Sequence, residues 1–459
     1  VQTFLLPPDA NNFYAAGEWN GACMDCHVTQ GRSRFVEGDR FDSLVGEFGI
    51  ACESCHSEGA DHIAQNRNPL RRYALHLGDK PDATIANPKR MKSAEAALAC
   101  GQCHSVWAFN NMADKIAWNQ EGGKFRPGQS DLQQRFVVQP NTPDHAEQKR
   151  MIQNTNPHFM GDRFWGDGMI RVTGRELNGL LASPCAKGGE FSCLSCHEMH
   201  PKDLSATEAK AWTSDQLKRG MDGDAACLQC HAKMKTEIVA HSHHAADSAG
   251  SRCQNCHMPH TTYGLLRGIR SHQVSSPTVA ESQQHGRPNA CNLCHLDKPL
   301  AWTADKLTAW YRQPLPALSG DDREVAAGVR WLLSGDAGQR ALVAWGMGWT
   351  PAQQTTGRDW LYPYLSATLK DPYAAVRFNA WQSLRTLPGF EGLVFDYTVD
   401  EARQKTAATA AYQQWWSQVR RAGAIYPPGA MLDADGSFRQ KIYQRLLSQR
   451  DHRKIFLAE

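Results

Sequence analysis

The 459-residue sequence predicts a mainly α-helical chain with much irregular loop. It divides into a segment over 1–300 packed around bound groups and an α-helical segment over 301–459. Three observations predict this. A Cys-x-x-Cys-His pentapeptide recurs seven times, at 23–27, 52–56, 100–104, 193–197, 227–231, 253–257 and 291–295. Over 23–300 each copy has about forty residues to itself, too little chain for a conventional aliphatic core. After about Leu300 the cysteines stop, only His452 remains among the histidines, and apolar residues recur at helical spacing.

The repeated pentapeptide is the pattern of covalent c-type haem attachment. Two thiols add to the two haem vinyl groups, and the adjacent histidine becomes the proximal iron ligand. The attachment pairs are Cys23 and Cys26, Cys52 and Cys55, Cys100 and Cys103, Cys193 and Cys196, Cys227 and Cys230, Cys253 and Cys256, and Cys291 and Cys294. The proximal ligands are His27, His56, His104, His197, His231, His257 and His295. Random placement of these cysteines and histidines would give roughly 0.02 such pentapeptides in the chain. The competing reading of a Cys-x-x-Cys pair is a zinc ribbon or a redox disulfide. Zinc ribbons need no trailing histidine, and thioredoxin-like sites occur singly. The cofactor expectation is therefore seven c-type haems, each with one iron.

The motifs use fourteen of the 15 cysteines and leave Cys185 alone, so no disulfide framework is expected. Covalent haem is installed outside the bacterial cytoplasm. The expected location is thus periplasmic or extracellular, and the opening at Val1 fits a removed secretion signal. No apolar run is long enough for a transmembrane segment. No basic run supports nucleic-acid binding. The formal charge of +3 omits the haems. Their propionates, set against the iron–porphyrin core, bring the holoprotein to roughly −4 oxidised and −11 reduced.

Along the chain, residues 1–22 read as an extended lead-in. The haem-bearing part forms two subclusters, about 15–104 and 185–300. The run Ser93-Ala94-Glu95-Ala96-Ala97-Leu98-Ala99 reads as a short helix delivering the third motif, with Ser93 as its cap. Residues 105–192 carry no motif and are rich in Gly, Asn and Pro. They read as loop-dominated, a cover between the subclusters and a wall of any substrate pocket. Beyond 300, helices are expected over 303–312, 321–333, 337–345, 359–369, 372–387 and 401–421, with one more after a Pro- and Gly-rich stretch. Asp371 before Pro372 reads as an N-cap. Asp371-Pro372-Tyr373-Ala374-Ala375-Val376-Arg377, with Ala380 and Leu384, resembles one repeat of a HEAT-type helical array. A plain helical cap on the haem part is the alternative.

The sixth iron position decides the chemistry. Twelve histidines lie outside the motifs, enough for seven bis-histidine haems. The distal candidates are His62, His76, His200, His241, His244, His260 and His272. His62, His200 and His260 follow their own proximal histidines too closely to fold over the same haem, so each should serve a neighbour. His241 and His244 are three apart on an expected helix and share a face. His145, His158 and His285 are reserves, His243 points elsewhere, and His452 is solvated. Met24, Met199 and Met258 are alternative ligands, although methionine more often packs. Cys185 reads either as an inert thiol or as a contact beside the fourth haem.

Three stretches carry a family resemblance. They are Gly49-Ile50-Ala51-Cys52-Glu53-Ser54-Cys55-His56 with His62 downstream, Ser192-Cys193-Leu194-Ser195-Cys196-His197, and Arg287-Pro288-Asn289-Ala290-Cys291-Asn292-Leu293-Cys294-His295. Here the chain resembles multihaem c-type cytochromes of the group containing the tetrahaem electron acceptor of hydroxylamine oxidation and the octahaem hydroxylamine oxidoreductases. The resemblance covers about 15–310. Trp302 and the run Thr303-Ala304-Asp305-Lys306-Leu307 resemble a haem-to-helical-repeat junction in bacterial members. The chain has no Cys-x-x-Cys-Lys motif and no eighth haem motif, and none of its tyrosines matches the cross-linked one of the octahaem enzymes, so their active-site chemistry does not carry over.

The expected function is electron transfer through a chain of seven haems, mostly bis-histidine ligated, between redox partner proteins outside the cytoplasm. The chain reads as an electron carrier rather than a catalyst, and no catalytic residue is assigned. One alternative is an oxidoreductase acting on a small nitrogen or sulfur oxyanion at one open haem. The other is a homo-oligomer, a subunit of an extracellular cytochrome filament.

Overall fold

A computed structural model describes residues 19–455 apart from 39, 79 and 422. Most of the expected lead-in lies outside the described residues. The fold is mainly α, with short helices, irregular connections and four two-stranded antiparallel sheets among the described residues.

The motifs build one helical turn each. The amide of the histidine donates to the carbonyl of the first cysteine at 2.9 Å in His104, His197, His231 and His295. That i to i+4 bond sets the first thiol and the imidazole one turn apart, on one side of the backbone. The second and sixth motifs form whole helices, Cys52–His56 and Cys253–His257. The third ends the helix Ser93–Gly101, but Lys92 is its N-cap and Ser93 is already helical, so Ser93 does not cap it.

Side-chain caps begin many of the other helices. Asn68 accepts from Leu70 N before Pro69–Leu77, and Asn111 from Asp114 N before Met112–Glu121. Full capping boxes start Ala206–Asp215 (Ser205, Glu208), Val279–His285 (Thr278, Glu281) and Ala337–Gly346 (Asp336, Gln339).

Residues 105–192 are about half regular structure, more than a loop-dominated reading expects. They hold the helices Met112–Glu121, Ala146–Thr155, Phe159–Arg163 and Glu176–Ala182. They also hold a hairpin pairing Trp107–Phe109 with Arg135–Val137. A small core of Val106, Phe136, Val138, Phe164 and Ile170 ties these together. Glycines and asparagines sit at the element ends here, as caps, which is why composition suggested loop.

Burial is distributed very unevenly. Among the described residues between Val28 and Ala96, and again between Leu180 and Tyr263, no Ala, Val, Leu, Ile, Met, Phe, Trp or Tyr side chain is buried. Four motifs lie in these two stretches. The large apolar core lies instead in the C-terminal part, where Leu300, Leu307, Val329, Leu332, Trp360, Leu365, Leu384 and Trp415 join one cluster.

The C-terminal helices are Leu300–Tyr311, Gly320–Glu324, Ala327–Ser334, Ala337–Gly346, Thr350–Thr356, Leu361–Thr368, Ala374–Leu384, Glu401–Gln414 and Gln440–Ser448. The helix expected over 321–333 is two pieces, broken at Val325, whose backbone is extended. Asp371 is not an N-cap. Its helix starts at Ala374, and Asp371 is buried in an ion pair with Arg340 at 2.7 Å. The two parts interlock. Trp165, Met169 and Tyr263 pack with Ala341, Leu342, Tyr373, Val376 and Ile455. Arg171 reaches Asp336, the cap of Ala337–Gly346, at 2.8 Å, with both side chains buried.

Candidate functional site

Four motif histidines each face a second imidazole. His56 faces His200 with ring centroids 6.1 Å apart, His197 faces His272 at 6.4 Å, His257 faces His241 at 5.9 Å and His295 faces His244 at 6.2 Å. The rings are near parallel, inclined by 14° to 38°. These are not contact stacks. Where a histidine ring stacks directly, the spacing is 4.1 Å (His145 on Phe136) or 4.3 Å (His243 on Trp310). The wider gap fits a metal held by both rings, since two bonds of about 2 Å plus two ring half-widths sum to roughly 6 Å.

Hydrogen bonds select the nitrogen left to bind. The Nδ1 of His56 lies 2.7 Å from Ala86 O, that of His197 2.9 Å from Asp215 O, that of His257 2.8 Å from Ser275 O and that of His244 2.6 Å from Ser242 O. A carbonyl only accepts, so Nδ1 carries the proton and Nε2 keeps its lone pair. Every facing pair has at least one ring oriented in this way, the outer support usual for metal-ligating histidines. Burial pushes His295 down to about 4 and lowers His241 and His272.

Two glycines make room for these rings. A Cβ on Gly250 would lie 2.1 Å from His244 Cδ2. One on Gly179 would meet the backbone of His272 at 2.8 Å.

His200, His241, His244 and His272 are thus brought to motif histidines, while His62, His76 and His260 are not. His62 Nδ1 is 3.1 Å from Asp82 Oδ2. His76 is exposed on the helix Pro69–Leu77. His260 packs between Trp345 (4.7 Å) and Trp349 (5.0 Å) with its buried Nδ1 unpartnered, and burial pushes it down to about 3. Among the described residues, His27, His104 and His231 face no second imidazole. His244 does not share a helix face with His241, because the helix Met234–Ser242 ends and His243 turns left-handed at φ 57°. The two rings therefore go to different motifs. Of the reserves, His285 borders a cavity described below, and His452 is exposed as expected.

The motif thiols follow one another through space. Cys26 and Cys103 each approach the other's carbonyl oxygen at 3.9 Å. Cys100 contacts Cys193, and Cys227 contacts Cys253. Cys55 lies within electrostatic reach of Cys100, Cys196 of Cys227, and Cys256 of Cys291. None of the 15 cysteines is joined in a disulfide. Cys185 lies near Cys227 of the fifth motif.

Sequence reasoning missed several residues here. Arg135 is buried with its guanidinium between Trp107 (4.2 Å) and Trp118 (3.9 Å), and its Nε and Nη1 have no partner. It stands close to Asp25 of the first motif. A buried guanidinium with open N–H groups calls for an anion, which the propionates of a bound haem would supply. Glu176 reaches His104 Nδ1 at 2.8 Å across 72 residues of sequence. The tryptophans of the helical part also face this region, with Trp302 4.6 Å from His295. No local pattern marks any of these, because each meets its partner only through tertiary folding. A cavity of about 820 Å³ lies elsewhere, lined by Lys149, Arg150, Arg171, His285, Asp336 and Arg453 among others. Residues 140–171 form much of its wall.

No family model matches the chain, and no curated protein matches it. Among solved structures, the outer cell wall cytochrome OcwA is similar at 19% identity, over 88% of this chain and 78% of that chain, with a TM-score of 0.37.

Proposed function

We propose that the chain binds seven c-type haems and relays single electrons between redox partner proteins in the periplasm or outside the cell. The observation that carries this reading is the set of four imidazole pairs, each with a motif histidine and a gap that fits one shared metal. The bound haem supplies one-electron chemistry, its iron alternating between ferric and ferrous.

The chain's own residues do the rest. The fourteen motif thiols tether the cofactors at fixed places. The seven motif histidines, with His200, His241, His244 and His272, would bind the irons. His62, His76 and His260 remain candidates for the other three. Backbone carbonyls hold the imidazoles in their ligating tautomer. The two stretches in which no Ala, Val, Leu, Ile, Met, Phe, Trp or Tyr side chain is buried leave room for porphyrins as core. Haems then occupy 1–300, and the helical part over 301–459 caps the relay and docks a partner. Among the described residues no helix is long and apolar enough to cross a membrane.

A second reading has one observation in its favour. Three motif histidines face no second imidazole among the described residues, which suits an open haem acting on a small nitrogen or sulfur oxyanion. Electron paramagnetic resonance of the oxidised protein separates the two. The relay predicts low-spin ferric signals unchanged by nitrite, sulfite or hydroxylamine. A high-spin signal that shifts with one of them favours the enzyme.

A further inference from the structure

We propose that Glu176 is a positioning residue that makes the haem of the third motif the most negative centre of the relay. This inference rests on the haem-binding reading above. His104 differs from the other motif histidines whose Nδ1 partner is seen. His56, His197 and His257 donate to backbone carbonyls, whereas His104 donates to a carboxylate, Glu176 Oε2, at 2.8 Å. A carbonyl is a neutral acceptor. A carboxylate carries full charge and draws the Nδ1 proton harder, so the ring gains imidazolate character and binds as a stronger donor. A more electron-rich ligand and a nearby negative charge both favour the oxidised metal.

The carboxylate is firmly placed. Its other oxygen accepts from Gly174 N at 3.0 Å. Leu177 N donates to His104 O at 2.9 Å, tying the start of Glu176–Ala182 to the motif itself. Gly101 lets Leu177 close in on the helix Ser93–Gly101, since a Cβ there would lie 2.1 Å from Leu177 Cδ2.

The location gives this contact its consequence. The third motif approaches the first through Cys103 and Cys26 and contacts the fourth through Cys100 and Cys193, and Cys55 of the second lies within electrostatic reach of Cys100. It thus neighbours the first, second and fourth motifs. Each transfer moves one electron from one centre to the next, and no bond is made or broken. A negative potential there makes this centre an uphill step for electrons that pass through it.

The test is spectroelectrochemical titration of the full holoprotein, wild type against Glu176→Gln and Glu176→Asp. Haem content is read first by pyridine haemochrome and intact mass. The expected result is a full haem complement with the most negative one-electron wave moved positive in Glu176→Gln and the other waves unmoved. Should the glutamine variant lose haem, the same wave is read in Glu176→Asp. Its shorter side chain cannot span the same distance, so a smaller positive shift is expected. Seven haems with every wave unmoved, or a shift in a wave other than the most negative, would overturn the assignment while leaving the haem-binding reading intact. A wild-type chain without haem would instead defeat that reading.

Discussion

At the scale of single residues, the account depends on where imidazoles end up. Gly250 is the sharpest case, since any side chain there strikes the ring of His244. Gly250→Ala should push His244 out of line with His295, costing one low-spin haem in the ferric resonance spectrum and leaving the total haem content unchanged. An unaltered spectrum would remove His244 from the ligand set. The motif residues themselves were legible because the chemistry is local: two thiols and an imidazole within five residues. The distal partners were only half legible. Sequence gave a supply of histidines and the argument that close followers serve a neighbour. His200 illustrates it, facing His56 rather than its own His197. His260 obeys the same spacing yet lies between two tryptophans of the helical part. Which neighbour a ring meets is decided by packing across the whole chain, which spacing does not encode.

At the scale of elements, helices were legible where apolar spacing was regular, and their ends were not. The pair Asp371 and Pro372 looked like a helix start, but the carboxylate is taken by Arg340 at 2.7 Å, and the helix begins three residues on. A long-range ion pair here overrides a local capping signal. Burial alone would raise the Asp371 carboxyl, and the Arg340 guanidinium outweighs it to give a lowered value. The folded group thus titrates below the unfolded one, near 4. Its contribution to stability is complete above that value and is lost as pH falls through the folded value. Asp371→Asn should cost about 3 kcal/mol near neutral pH, because it leaves Arg340 buried without its charge partner. The variant should also lose part of the acid sensitivity of helix unfolding followed by circular dichroism. Equal stability of variant and wild type near neutral pH would contradict this. The hairpin joining Thr262–Gly264 to Arg267–Ile269 was not foreseen either. Its turn places Leu265 and Leu266 at φ 48° and 58°, where turn chemistry favours asparagine and glycine.

At the scale of the whole molecule, the division of labour was visible in the sequence: cysteine and histidine to about 300, apolar helical spacing after it. The structure adds how differently the two parts are filled. Beyond 300 a large apolar cluster closes the helices on one another. Between Leu180 and Tyr263, by contrast, no aliphatic or aromatic side chain of the kinds that fill ordinary cores is buried, although three motifs lie there. Proteins do not leave such interiors empty, because close packing is worth too much. A porphyrin is a large apolar body, and the proposed tethering through two thioethers would place it where a core is missing. The tryptophans at 302, 345 and 349 face the same region from the helical side. The cross-packing of Trp165, Met169 and Tyr263 with Leu342 and Val376 was hidden from sequence, since it joins residues 79 to 211 positions apart.

The intact mass of the protein purified from a host that installs c-type haem tests the central claim most directly. The account predicts the polypeptide mass plus seven tetrapyrroles, retained under denaturing conditions because the bonds are covalent. A mass equal to the bare chain, or one short of seven additions in protein that is otherwise folded, would contradict it.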